Sequence, residues 1–489
     1  MRRLLLVLAA ASVAAAIAVS ALRIGYPFEL EWLEGLSLHH VQRLLEGRPL
    51  FAAPSLEFIA AGYTPLYWAA GAAAARLLGP GFAALRAVSF ASSLASLALI
   101  FALVRRETRS AYAAALAAGL FAAGFRFAGA FFDVARADAL HLALLLGAIL
   151  ALRAMRGAAA AGALGGVLLG LATLTKQSAV VAAAPFVAWQ LGADRRRGAW
   201  LIGTLAAVLG ASTLGLQRAT QGWYLYYALD VAARHDPVLA SFPMVVIRDL
   251  IAPLGIACAI AALYLTGRSH PARDRWAWAL LAAGMVGSSL GLRLYPGGYD
   301  NVRLTECAAI AILFGLGFHA GEARVAAAPE ATRRAGQRAL AAVATAQFLL
   351  LAWNPRAQVP TPADRAAGRE AVAAIAGMPG EVLVPSHPYL LGLAGRPLHF
   401  HEMPFSDVLG GARGPIETRL LDSLDAALAA RRYAAVVTDP PEPAWLLAPL
   451  ERWYRPTGTL IHDPRSFFTV TGARTRPERI WLPDTAGAR

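Results

Sequence analysis

The chain opens MRRLLLVLAAASVAAAIAVSALR (Met1–Arg23), and this stretch decides the class of protein. Arg2 and Arg3 precede an apolar run from Leu4 to about Leu22. As a helix rising ~1.5 Å per residue, that run is long enough to cross the roughly 30 Å of hydrocarbon in a bilayer. Positive charge ahead of a span stays on the cytoplasmic side, so the N-terminus is read as cytoplasmic. A cleaved signal peptide is the alternative reading. Its apolar core normally has only roughly 7 to 15 residues, and cleavage would leave the topology of the remaining chain unchanged.

Composition agrees with a membrane protein. Of 489 residues, 57% are hydrophobic and only 16% charged, with a mean hydropathy of +0.51, whereas soluble domains carry about 25% charged residues. The formal charge of +14 does not point to nucleic acid. The arginines fall in short clusters between apolar runs and build no continuous basic face. Lys176 is the only lysine among 45 basic residues, and the alanine and arginine runs suggest a GC-rich bacterial genome. The expected location is therefore the bacterial cytoplasmic membrane. Cys258 and Cys307 lie in apolar runs, where a thiol serves as a small packing residue.

Ten further apolar spans run from Phe82 to Val104, Ala111 to Phe131, Ala139 to Leu152, Ala158 to Thr175, Ser178 to Gln190, Ala199 to Leu216, Met244 to Thr266, Trp276 to Leu292, Leu304 to His319 and Ala339 to Trp353. With the first they make about eleven transmembrane helices. Counting crossings puts Arg105/Arg106/Arg109, Arg153/Arg156, Arg195 to Arg197, Arg268/Arg273/Arg275 and Arg324/Arg333/Arg334/Arg338 on the cytoplasmic side, as the charge rule requires. The count works only if Tyr63 to Leu78, interrupted by Pro65 and Arg76, does not cross. That segment reads as an interfacial or re-entrant helix.

The expected fold class is mainly α: a multi-pass membrane domain over residues 1–353, with a first outward loop at 23–62, then a small extracytoplasmic α/β domain over 354–489. In the latter, Asp364 to Ile375 reads as a helix, and Glu381 to Val384, Ala434 to Thr438 and Phe467 to Val470 read as strands. The outward loops carry most of the informative chemistry. Within EWLEGLSLHHVQRLLEGRPLF (Glu31–Phe51), Leu38, Val41 and Leu45 recur at helical spacing until Gly47 and Pro49 stop the run. An amphipathic helix from about Gly35 to Glu46 is expected along the membrane surface. Glu34 starts that helix, where a carboxylate also simply complements the helix dipole. Glu31, three residues earlier, either shares a site with it or is solvated.

Leu33-Glu34-Gly35, Gly47-Arg48-Pro49-Leu50-Phe51, Tyr63-Thr64-Pro65-Leu66-Tyr67, Arg86, Arg136-Ala137-Asp138 and Leu174-Thr175-Lys176-Gln177 together resemble the glycosyltransferase C superfamily. The likeness is to its branch of protein mannosyltransferases and lipid A aminoarabinose transferases, and it covers essentially the whole membrane portion. Order and membrane side carry the resemblance; no single motif does. One departure stands out: where the family usually has its catalytic aspartate, this chain has Leu33.

The resemblance implies an inverting transfer of a sugar from a polyprenyl-phosphate donor to an envelope lipid, glycan or protein acceptor. Such a reaction needs a carboxylate to take the acceptor proton and cations to hold the departing phosphate. Glu34 or Glu31 is the implied base, with Asp133 and Asp138 as the further catalytic carboxylates that orient acceptor or sugar. Lys176, Arg126, Arg136 and Arg303 are the phosphate-binding candidates. All four map to outer helix ends or loops, against the usual charge bias, although snorkelling to headgroups is the plain alternative for each. Arg126 lies inside an apolar span, about four residues below its outer end, where a charge is costly. Tyr63, with Tyr299, Asp300 and Asn301 of YPGGYDNVR (Tyr295–Arg303), are the sugar- or acceptor-binding candidates. The resemblance leaves a divalent cation open, and no other cofactor is implied.

Trp223, Tyr224, Tyr226 and Tyr227 read as an interfacial aromatic belt or as sugar-stacking rings. His39, His40, His387, His399 and His401 have no regular metal spacing with carboxylates. No P-loop, dinucleotide fingerprint or GxSxG elbow is present. Two other classes stay open: a transporter, though no clear internal repeat is visible, and a non-catalytic binder of lipid-linked sugar, suggested by Leu33.

Overall fold

The computed structural model describes residues 1–267, 271–410 and 414–484; Arg268, one of the arginines assigned to the cytoplasmic side, lies outside the described residues. The chain is mainly helical. In order come α1 (Arg2–Arg23), α2 (Glu34–Leu45), α3 (Leu66–Leu78), α4 (Phe82–Thr108), α5 (Ala111–Ala123), α6 (Asp138–Ala154), α7 (Ala158–Thr175), α8 (Ser178–Ala193) and α9 (Arg195–Ala219). Then follow α10 (Trp223–Leu225), α11 (Phe242–Val245), α12 (Ala252–Leu265), α13 (Ala272–Leu292), α14 (Arg303–Ala326) and α15 (Glu330–Leu350).

Helix occupies at least part of each of the eleven apolar stretches. Among the described residues, six helical runs are long and apolar enough to cross a membrane on their own: Arg2–Arg23, Phe82–Thr108, Ala158–Thr175, Arg195–Ala219, Leu239–Leu265 and Asp300–Ala326. A bent pair, Glu330–Leu350 with Pro355–Gly377, would make a seventh. Helix α3 has 13 residues, about 20 Å at 1.5 Å per residue, which is short of a span.

The remaining elements are α16 (Pro362–Gly377), β1 (Glu381–Leu383), α17 (Tyr389–Leu393), α18 (Glu402–Leu409), α19 (Pro415–Ala429), β2 (Tyr433–Thr438), α20 (Ala444–Trp453), β3 (Tyr454–Thr459) and β4 (Arg479–Pro483). The strands form one sheet in the order β1-β2-β4-β3, parallel between β1 and β2 and antiparallel elsewhere. The strand expected at Phe467 to Val470 is absent. Phe467 sits at φ +66°, its N–H donates to Asp364 Oδ1 at 2.6 Å, and its ring packs edge-on against Phe28. The segment is an anchor and not part of the sheet, and the two strands that complete the sheet are β3 and β4.

The chain divides into two compact units. The first comprises Met1–Ile24, Arg86–Ser212 and Asp236–Gln358. It is all helix and turn, with α14 buried along nearly its whole length. Close helix approach there depends on small residues: a side chain on Gly317 would strike the backbone of Ile260 in α12, and one on Gly119 the backbone of Ala9 in α1.

The second unit comprises Gly25–Leu85, Thr213–His235 and Val359–Arg489. The first outward loop thus folds with the sheet-bearing C-terminal residues. Helix α2 forms where the spacing predicts it, but it is buried on almost every side, from Glu34 through Val41. His40 shows the result. It stacks on Trp68 at 4.0 Å, its Nδ1 faces the Leu36 carbonyl at 2.8 Å, and its Nε2 accepts from the Ala61 N–H at 3.1 Å. Burial pulls its pKa down to about 3, so this imidazole is neutral. Tyr224 and Tyr227 are buried in the same unit beside Phe51, with the Tyr227 hydroxyl donating to the Ala52 carbonyl at 3.0 Å.

Candidate active site

In the second unit, the loop between α1 and α2 buries three carboxylates. Glu29, Glu31 and Glu34 are 5%, 2% and 0% exposed, far below what acidic side chains accept without partners. The loop's own backbone supplies some of those partners. Leu30 N–H donates to Glu34 Oε2 at 2.6 Å, Leu33 N–H to Glu31 Oε2 at 3.1 Å, and Gly35 N–H to Glu29 Oε1 at 2.9 Å. Two glycines make the packing possible. A side chain on Gly35 would collide with the Glu29 carboxylate and the Tyr389 ring, and one on Gly472, at φ +69°, would collide with Glu31. Tyr63 also belongs to this unit and is half-buried.

Three residues of the C-terminal part hold the same loop. Trp32 Nε1–H donates to the Ser386 carbonyl at 3.0 Å. His387 bonds Glu29 Oε2 through Nδ1 at 2.5 Å and Asp439 Oδ2 through Nε2 at 2.7 Å. The Tyr389 hydroxyl lies 3.5 Å from the Glu29 N–H. Burial disfavours a charged imidazole at His387, but Asp439 and Glu29 outweigh it and hold the ring protonated well above neutral pH. Nearby, burial raises Glu402 to about 7 even though the Ser386 hydroxyl donates to it. Sequence reasoning missed Glu29, His387 and Asp439 as a group; the presence of an acid at position 29 was the only local signal.

The first unit brings other candidates together. Asp138, at the start of α6, accepts from Lys176 Nζ at 2.6 Å and from Asn301 Nδ2 at 2.9 Å. All three are buried, and a carboxylate held by an ammonium and an amide is a charge-assisted network. Asn301 is delivered by a short 3₁₀ turn, Asp300–Val302. The same turn places Asp300 3.2 Å from Arg303 and 3.6 Å from Arg293. Asp249, in a π-helical turn over Val246–Ile251, then receives Arg303 at 2.6 Å, Arg293 at 2.8 Å and Arg248 at 2.9 Å. Three guanidinium groups thus surround two carboxylates. Such widened turns recur at functional sites.

Two expected site residues are placed differently. Asp133 is sealed by Arg23, whose Nε and Nη2 reach its two oxygens at 2.7 and 2.5 Å with both side chains fully buried. The Ser20 hydroxyl donates to Asp133 at 3.2 Å in the same cluster. Arg126 is not inside a helix. Helix α5 stops at Ala123 with Gly124 as its cap, and Arg126 is exposed in the turns after it. Its burial cost therefore disappears. Arg136 is buried near Asp138, and Tyr299 is exposed.

This mainly helical fold is similar to that of solved membrane glycosyltransferases, and the chain resembles the ArnT-like branch of the glycosyltransferase C superfamily. The family model for dolichyl-phosphate-mannose-protein mannosyltransferase matches residues 64–217. ArnT from Cupriavidus metallidurans, solved bound to undecaprenyl phosphate, is similar with a TM-score of 0.61 at 16% identity, covering 98% of both chains. The archaeal oligosaccharyltransferase AglB from Archaeoglobus fulgidus, in complex with an inhibitory peptide and a dolichol-phosphate, gives 0.53 at 11% identity, covering 88% of this chain and 69% of that one. The arabinofuranosyltransferase AftD from Mycobacteria gives 0.53 at 20% identity, over 99% of this chain and 41% of its own. No curated protein sequence matches the chain.

Proposed function

We propose that this protein is a membrane glycosyltransferase that moves a sugar from a polyprenyl-phosphate donor to an acceptor hydroxyl on the extracytoplasmic face. The observation that carries the reading is the acid-rich loop, Glu29 to Glu34, built into a chain of this fold. Inversion by single displacement requires one of its carboxylates to take the acceptor proton as the sugar–phosphate bond breaks, and Glu34 is assigned that role with Glu31 beside it. Lys176, Arg136 and the Arg303 cluster supply the positive charge that a departing lipid phosphate needs. The polyprenyl phosphate is supported by ArnT and AglB, both solved with such a lipid.

The proposed topology has about eleven spans, a cytoplasmic N-terminus and residues 354–489 outside, in a bacterial cytoplasmic membrane. Three segments that the charge rule assigned to the cytoplasm support it by meeting in the first unit: Arg153 reaches Glu107 at 2.8 Å and Asp274 at 2.8 Å. The test is transfer of label from a polyprenyl-phosphate sugar in proteoliposomes. Donor binding without turnover would favour the non-catalytic reading, and flux of free solute would favour a transporter.

A further inference from the structure

The proposed reaction assigns work to Glu31 and Glu34 but none to the segment that grips their loop. Ser386, His387 and Tyr389 each contact the loop: Ser386 holds Trp32, His387 holds Glu29, and Tyr389 meets both the Glu29 N–H and the face of Gly35. Glu29 in turn accepts from the amide of Gly35, the residue immediately after Glu34. An unbroken chain of bonds therefore runs from Asp439, at the end of β2, through His387 and Glu29 to the first turn of α2. Every side chain in it is buried or nearly so.

Breaking one link of such a chain strands a charge in a low-dielectric interior, so the arrangement is strongly two-sided: intact or costly. It cannot be a solvated surface pair. The other charged or titratable groups facing it are Glu402, near His387 and Asp439, together with Glu34 beside Glu29 and Tyr26 beside Tyr389.

We propose that His387 is a positioning residue for the transfer reaction: bonded to Glu29 on one side and Asp439 on the other, it clasps the loop so that Glu31 and Glu34 are held in one geometry. The proposal rests on the assignment of that loop to catalysis. A base displaced by even an ångström loses much of its effect, so the clasp acts on turnover and not on donor capture.

The experiment compares wild type with His387→Gln and Asp439→Asn, full length in proteoliposomes, using a polyprenyl-phosphate sugar donor. The expected result is a kcat lowered about tenfold or more with KM for the donor within about twofold, in protein whose thermal midpoint shows it folded. Amides of residues 30–35 should exchange hydrogen at least about tenfold faster in both variants. Unchanged kcat in folded His387→Gln, or a loss of KM with kcat intact, overturns the proposal. If wild type itself transfers no sugar, the functional reading has failed. The exchange rates then decide the clasp separately: faster exchange upholds it as a loop-fixing device, and unchanged exchange removes it.

Discussion

Arg23 and Asp133 form a bidentate ion pair that no solvent reaches, with nitrogen–oxygen distances of 2.7 and 2.5 Å. The guanidinium also donates to the Gln358 carbonyl at 3.2 Å and to the Ala130 carbonyl. The pair joins the end of α1 to the turns after α5, and Asp133, a catalytic candidate in the sequence, is its acidic member.

Asp133→Asn should therefore destabilise the protein, since removing one member of a buried pair costs about 3–5 kcal/mol. Thermal unfolding in detergent measures it. A variant of full stability but lost transfer would return Asp133 to the reacting groups.

Glu34→Gln keeps size and most hydrogen bonding but cannot accept a proton, so transfer should fall by at least roughly a hundredfold while donor binding survives. Glu31→Gln should cost less. The opposite order makes Glu31 the base, and parental rates in both singles and the double variant would move the chemistry out of this loop, to Asp138.

Lys176→Ala should weaken donor binding by about tenfold, the equivalent of roughly 1.4 kcal/mol for one lost charge-assisted contact, with the protein still inserted. Titration of the wild type and variant with polyprenyl phosphate reads it. Equal affinities would leave Lys176 as the structural partner of Asp138.

The His387 clasp also sets a pH dependence. Burial works against the charge on His387, but Asp439 and Glu29 push its pKa up from 6.5 to about 10. A group raised on folding stabilises fully below its unfolded value and loses that contribution as pH climbs through the folded one. Thermal midpoints should fall between pH 6.5 and about 10 in wild type and fall less in His387→Gln. Parallel slopes in the two proteins would assign the loss to other groups.

A reporter fused after Arg489 should be active outside the cytoplasm, and one at Arg196 inside. Either reversal would break the crossing count on which the sidedness rests.

The helices were legible because a run of apolar residues flanked by arginine admits few other readings. The interruptions were less so. From Ala111 to Phe131 the composition is almost uniformly apolar, yet helix stops at Ala123, and Gly129 and Ala130 take positive φ. Glycine and alanine at that spacing serve a turn as well as a span. The loop acids at 31 and 34, Lys176, Asp138 and Asn301 could be read as candidates through the family resemblance, but their partners could not. Arg23 lies 110 residues from Asp133, and His387 lies 358 from Glu29. Pairings at that separation are set by packing of the whole unit. Phe467 to Val470 failed for a related reason: its apolar character suits a strand, but its aromatic rings are spent on Phe28 and on Arg474 and Arg476.

Lys176 has one more consequence. It is the chain's only lysine, and it is buried against Asp138. Amine-directed reagents have a single side-chain target in this sequence, so the mass of one labelled peptide reports directly on whether that position is covered or open, with no engineered tag.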